Sequence, residues 1–337
     1  MNASLHALPA DASQRPADLN LQRKAALVAG GAVDHAGKVR VVKMKQFDMG
    51  RTIFGGLEGK LPRLMMHDKL GREAFWSDPA VASIESAYVA AESGAPTPAI
   101  DPALIAFMES ECDFSMEHAD GTFLEHLVFC HDYAAKHFPG HSPNVALLHS
   151  ILGTGTNCFA MDAGKLPKLR ELLTEEEAQQ IEVFPSLVRL FYDRGLLAEL
   201  GANLHRLDDL VALHCHRVID NAPIELPAEA LWVQLNYQLM HFVDFMPPAN
   251  WGARLADPLM LQFRELSEFL DRAGKREAQV DVVFPTGPVR PVGERATVVS
   301  TVAGMLPAAL TLKLAQKTIR RYSEQIGHSL DYRLEWR

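Results

Sequence analysis

The chain has 337 residues, a formal net charge of −9 and a hydrophobic content of 48%, enough for a substantial core. The acidity speaks against nucleic acid or an anionic membrane as partner, since both reward basic patches. Four widely spaced cysteines with no CxxC pair signal neither a zinc ribbon nor a disulfide framework, so reduced thiols in a cytoplasm are the expectation. The 14 histidines are the compositional surplus that calls for an explanation.

Residues 1–20 are polar, carry prolines and lack the apolar stretch of a signal peptide, so a disordered tail is expected. Residues 21–100 read as an N-terminal extension. It holds a short helix over Leu21–Val28, an extended segment over Lys38–Met49 and a helix over Ala80–Ser93. The glycines of Ile53–Lys60 lack the spacing that turns backbone amides onto a phosphate, and read as a turn. After the linker Gly94–Pro98, residues 101–275 give a succession of capped helices with short connections, an all-α bundle. The first of them spans Pro102–Glu111.

The segment His118–Asn157 carries the chemistry. Thr122-x-x-Glu125 forms a capping box, which starts a helix with His126 at the end of its first turn. At helical spacing Cys130, Tyr133 and His137 share the face of His126. Ser142 as N-cap and Pro143 at the first helical position open a second helix, Val145 to Leu152, which stops at Gly153. That run is apolar on every face, so His149 and Ser150 are expected inside the protein, where a buried imidazole needs a hydrogen bond or a metal.

A histidine early in one helix, then an apolar helix ending in Leu147-Leu148-His149-Ser150 with Gly153-Thr154 close behind, resembles the HD-domain superfamily. In that all-helical fold a first histidine and a His-Asp pair about two dozen residues later hold a metal. His126 and His149 are 23 positions apart. The resemblance covers roughly residues 103–247 and points to a degenerate branch in which Ser150 replaces the bridging aspartate. A neutral hydroxyl is the poorer ligand. The literal His131-Asp132 pair lies on the first helix and reads as incidental.

Further along, Thr174-Glu-Glu-Glu177 is another capping box, opening a helix that runs past Pro185 to Gly195. Leu207–Asn221 reads as an amphipathic helix, on which His214 and His216 point in opposite directions, roughly 200° apart. Pro227–Phe245 forms a long helix with Trp232, Tyr237 and His241, and Asp257-Pro258 starts another that ends at Gly274. Residues 276–337 form a C-terminal extension: an extended Val280–Phe284, a Pro/Gly-rich stretch, and a helical region over Ala296–Ile326. It could pack on the bundle or mediate homodimer formation. The uncharged run Ala296–Leu312 is too short and too interrupted for a membrane span.

The resemblance implies metal ligands His126 and His149. A late-helix aspartate of the family aligns near Arg217, which leaves His216, with His214 as the alternative, as the expected third ligand. His118 and Tyr133 are expected at the catalytic site, and Glu125 is expected to orient a ligand. Loss of the aspartate argues against a two-metal phosphohydrolase. Imidazoles suit a single Fe(II), with Mn or another divalent ion as substitutes, and leave positions open for oxygen and a small polar substrate. The expectation is therefore a non-haem iron oxidoreductase. A vestigial ligand-binding scaffold and a metal-dependent phosphohydrolase are the alternatives.

Overall fold

The computed structural model describes residues 32–33, 39–40, 98–114, 117–118, 121–155, 157–245, 258–280 and 308–337. The expected tail, the helices over 21–28 and 80–93, the glycine turn at 53–60 and the proline-rich stretch 285–295 lie outside the described residues. So does most of the extended segment over 38–49. Within it β2 (Val39–Arg40) pairs with β1 (Ala32–Val33).

Helix α1, Pro102–Glu111, has the expected bounds. Asp101 caps it by accepting the amide of Ala103 at 2.8 Å, and proline occupies its first position, where no amide is missed. A small hairpin, β3 (Glu117–His118) and β4 (Gly121–Thr122), leads directly into α2, Phe123–His137. Helix α3, Pro143–Leu148, opens on Ser142 as expected but is one turn shorter, and residues 149–152 continue as turns. Gly153, at φ +130°, is where the chain leaves. That conformation favours glycine, and an added Cβ would stand 2.9 Å from the ring of Phe159.

After a short α4 (Leu166–Arg170), α5 (Glu175–Asp193) runs through the middle of the structure, buried on all faces from Gln180 to Phe191. Its capping box is complete: Thr174 Oγ1 accepts the amide of Glu177 at 3.2 Å, and Glu177 Oε2 accepts that of Thr174 at 2.8 Å. Glu177 Oε1 also accepts from Ser142 Oγ (2.5 Å) and Asn144 Nδ2 (3.0 Å), so one carboxylate fastens the starts of α3 and α5 together. Around α5 pack α3, α6 (Gly195–Ala202), α7 (Ala228–Phe245) and α9 (Ala308–Gln325), with α8 (Pro258–Ala273) against α7. Arg189 of α5 is fully buried. It donates to Thr154 O and Asn157 Oδ1, both at 2.8 Å, and to Ser323 Oγ at 3.1 Å, joining the loop after α3 to α9.

The described fold is thus mostly helical, with one departure. The expected helix over Leu207–Asn221 does not exist. A 3-10 turn, Leu204–Asp209, gives way to strand β5, Leu210–His216, which sits between β6 (Pro223–Pro227) and β7 (Arg333–Trp336), antiparallel to both. The physical reason is a hairpin turn: Asp220 accepts the amide of Ala222 at 3.1 Å, and Asn221 adopts a left-handed conformation at φ 57°. The two prolines bounding β6 fit an edge strand, which β5 does not flank on its far side. The end of the C-terminal extension likewise contributes β7.

Candidate metal centre

Three helices deliver the imidazoles. On α2, His126 and Cys130 are one turn apart and face inward, 2% and 5% exposed. His149, fully buried, is the C-cap of α3 and remains helical at φ −54°, ψ −30°. Its Nδ1 lies 2.6 Å from Ala146 O. A carbonyl only accepts, so Nδ1 carries the proton and the Nε2 of the neutral ring presents its lone pair. That Nε2 stands 3.0 Å from Nε2 of His126. Cys130 Sγ lies 3.8 Å from Nδ1 and 3.9 Å from Nε2 of His126.

His126, Cys130 and His149 offer ligand atoms that all lie within 4.8 Å of one another, and this buried cluster could hold a metal ion. The fit is good at the imidazoles. Two nitrogens each ~2.0–2.1 Å from a shared ion, at ordinary coordination angles, stand about 2.9–3.4 Å apart. The donation from His149 Nδ1 to a carbonyl is also how metal-bound histidines are usually oriented. No carboxylate belongs to the cluster among the described residues.

A third imidazole packs beside this group, though it is not one of the residues whose ligand atoms lie within 4.8 Å of one another. His241, on α7, has its ring centroid 4.7 Å from that of His149 and 5.6 Å from that of His126. Phe184 of α5 packs on both His149 and His241, at 4.6 and 5.2 Å. Helix α7 is held in register by Gln238 Nε2, which donates to Phe184 O at 3.0 Å. Tyr237 adds a bond from its hydroxyl to Ser142 O at 2.7 Å. Burial pushes the Tyr237 hydroxyl well above the ordinary phenol range, so it stays a neutral donor.

The expected third ligand, His216, does not join this cluster. It lies on β5, where it shares a sheet face with His214 instead of opposing it. Its carbonyl accepts from Ser186 Oγ (2.6 Å) and His328 Nε2 (3.0 Å), while His214 is 2.7 Å from Glu335 on β7. Tyr133 stacks on His137 at 4.0 Å, two helical turns or ~10 Å along α2 from His126. The backbones of His118 and Glu125 lie in β3 and α2, and their side chains are outside the described residues. The pair His131–Asp132 satisfies itself at 3.1 Å. His137 and His141 tie α2 and its following turn to Gln279 O (2.9 Å) and Glu277 (3.0 Å). The buried position of Ser150, 5% exposed, is as expected.

His241 is the residue that sequence reasoning passed over. Its signal was a lone histidine in the buried stripe of a long helix, together with Gln234 and Gln238. Comparisons with protein-family models, curated proteins and solved structures find no match.

Proposed function

We propose that the chain is a metalloprotein that holds one divalent first-row transition ion at His126 and His149 and uses it in oxidative chemistry on a small polar molecule. The observation that carries this reading is the 3.0 Å approach of two buried Nε2 atoms, one of them with its other nitrogen already committed to a carbonyl. Iron is the proposed ion, because imidazole donors suit it and few protein ligands leave positions open. Bound there, it would supply sites at which dioxygen and substrate meet. The protein's own part is to keep the two donors aligned and the surroundings dry. Leu127, Leu147 and Leu148, all fully buried, and the ring of Phe184 support this.

Elemental analysis of tag-free protein tests it. Near-stoichiometric iron or manganese is expected, lost in both H126A and H149A while the fold persists, and oxygen-consumption screens would follow. Wild-type protein that is isolated without metal and refuses Fe(II) under anaerobic loading would sink the reading. A second reading has its own support in the same contact. Without an ion, His126 Nε2–H donates to His149 Nε2 and two buried imidazoles satisfy each other, as in a scaffold that has lost its metal.

A further inference from the structure

Resting on the metalloprotein reading above, we propose that His241 is the third imidazole ligand of the centre, and that Cys130 stands beside the ion without binding it. Three ring separations support the first half. Metal–imidazole bonds of ~2.0–2.1 Å put each ring centroid about 3.2 Å from the ion, so three rings at mutual angles of about 90–110° have centroids about 4.5–5.3 Å apart. The observed separations are 4.9 Å for His126–His149, 4.7 Å for His149–His241 and 5.6 Å for His126–His241. Two lie inside the window, and the third exceeds it by a few tenths of an ångström; His241 is not among the residues whose ligand atoms lie within 4.8 Å of one another, so its ring turns about χ2 to present a nitrogen when the ion binds. The rings meet edge to face, at 73°, 65° and 74°.

The position of the sulfur supports the second half. Sγ of Cys130 is almost equidistant from the two nitrogens of His126, at 3.8 and 3.9 Å, so it stands abreast of the ring. An ion on the outward lone pair of Nε2 is then about 3 Å or more from that sulfur, against ~2.3 Å for a metal–thiolate bond. Cys130 therefore packs on the flank of a ligand. The resulting donor set is three neutral imidazoles, which leaves the ion its full charge. The open positions accordingly favour a small anionic oxygen donor, such as hydroxide or a substrate carboxylate.

The test uses full-length, tag-free protein stripped of metal under anaerobic conditions and titrated with Co(II). Wild type should take up one equivalent and show no sulfur-to-cobalt charge-transfer band. C130S should bind within about threefold of wild type with an unchanged spectrum. H241A should bind at least about 100-fold more weakly, with part of the loss restored by free imidazole. The Cu(II) form of the wild type needs no variant to fold: its paramagnetic resonance should show hyperfine coupling to three nitrogens. A sulfur charge-transfer band lost in C130S, a two-nitrogen pattern, or undiminished binding by H241A would each overturn the assignment and leave the metal reading standing. Failure of the wild type to bind cobalt at all would overturn both.

Discussion

At the residue scale, the interior of α7 is unusual in what it leaves unpaired. Gln234 is fully buried, and among the described residues neither of its amide atoms has a hydrogen-bond partner. Asn236, two positions on, is the contrast: it donates to Trp232 O (2.8 Å) and Lys275 O (2.9 Å) and accepts the amides of Glu277 and Ala278. A buried unsatisfied amide costs about 1–3 kcal/mol, so Gln234→Leu should raise stability by about 1–2 kcal/mol in a denaturant titration. A loss instead would show that the amide has a partner in solution. Residues of this kind also mark the limit of what could be read beforehand. His126 and His149 were legible, because a capping box and a Ser-Pro start fix two helices and the spacing between them. His241 was not, because a single histidine in a long apolar helix reads as core until three helices are packed together.

At the scale of elements, helix starts were the most legible feature, since their signals are local. Ser142-Pro143, Thr174 with Glu177, and Asp101-Pro102 all begin helices where expected. Glu177 does more than its own box requires. Burial alone would raise its carboxyl pKa, but hydrogen bonds from Ser142, Thr174 and Asn144 prevail and hold it below the ordinary value. Glu177→Ala should therefore cost about 2–3 kcal/mol, more than an isolated cap, and loosen α3 and α5 together. Hydrogen exchange at the amides of residues 144–148 in this variant is the direct readout; protection equal to wild type would show the two starts to be independent. Strand β5 was harder to read. Leu210–His216 alternates well enough for either structure, and what decides it is the turn at Asp220 and Asn221 together with pairing to residues 333–336, far away in sequence.

For the molecule as a whole, α9 packs back onto α5 through a polar cluster around Arg189. Burial lowers the Arg189 pKa to about 10. Next to it His328 is 6% exposed and bonded to His216 O at 3.0 Å. Burial lowers the pKa of His328 to about 4; the bond to His216 O opposes this, and the charges of Arg189 and His216 add to it. Because the folded pKa lies below the ordinary histidine value near 6.5, the unfolded chain takes the proton first. The resulting stability is complete above about pH 6.5 and is lost as the pH falls towards 4. Denaturant midpoints at pH 7 and pH 5 should therefore differ in the wild type and converge in His328→Leu; an equal difference in both would assign the acid sensitivity elsewhere. The strand order β6-β5-β7 has a further consequence, in time. The ribosome completes β5 and β6 close together but makes β7 on the order of 120 residues later, so a nascent hairpin waits with one row of backbone donors and acceptors unpaired. During that interval the free side of β5 is a template for a strand from any other chain, which makes synthesis the period of greatest aggregation risk.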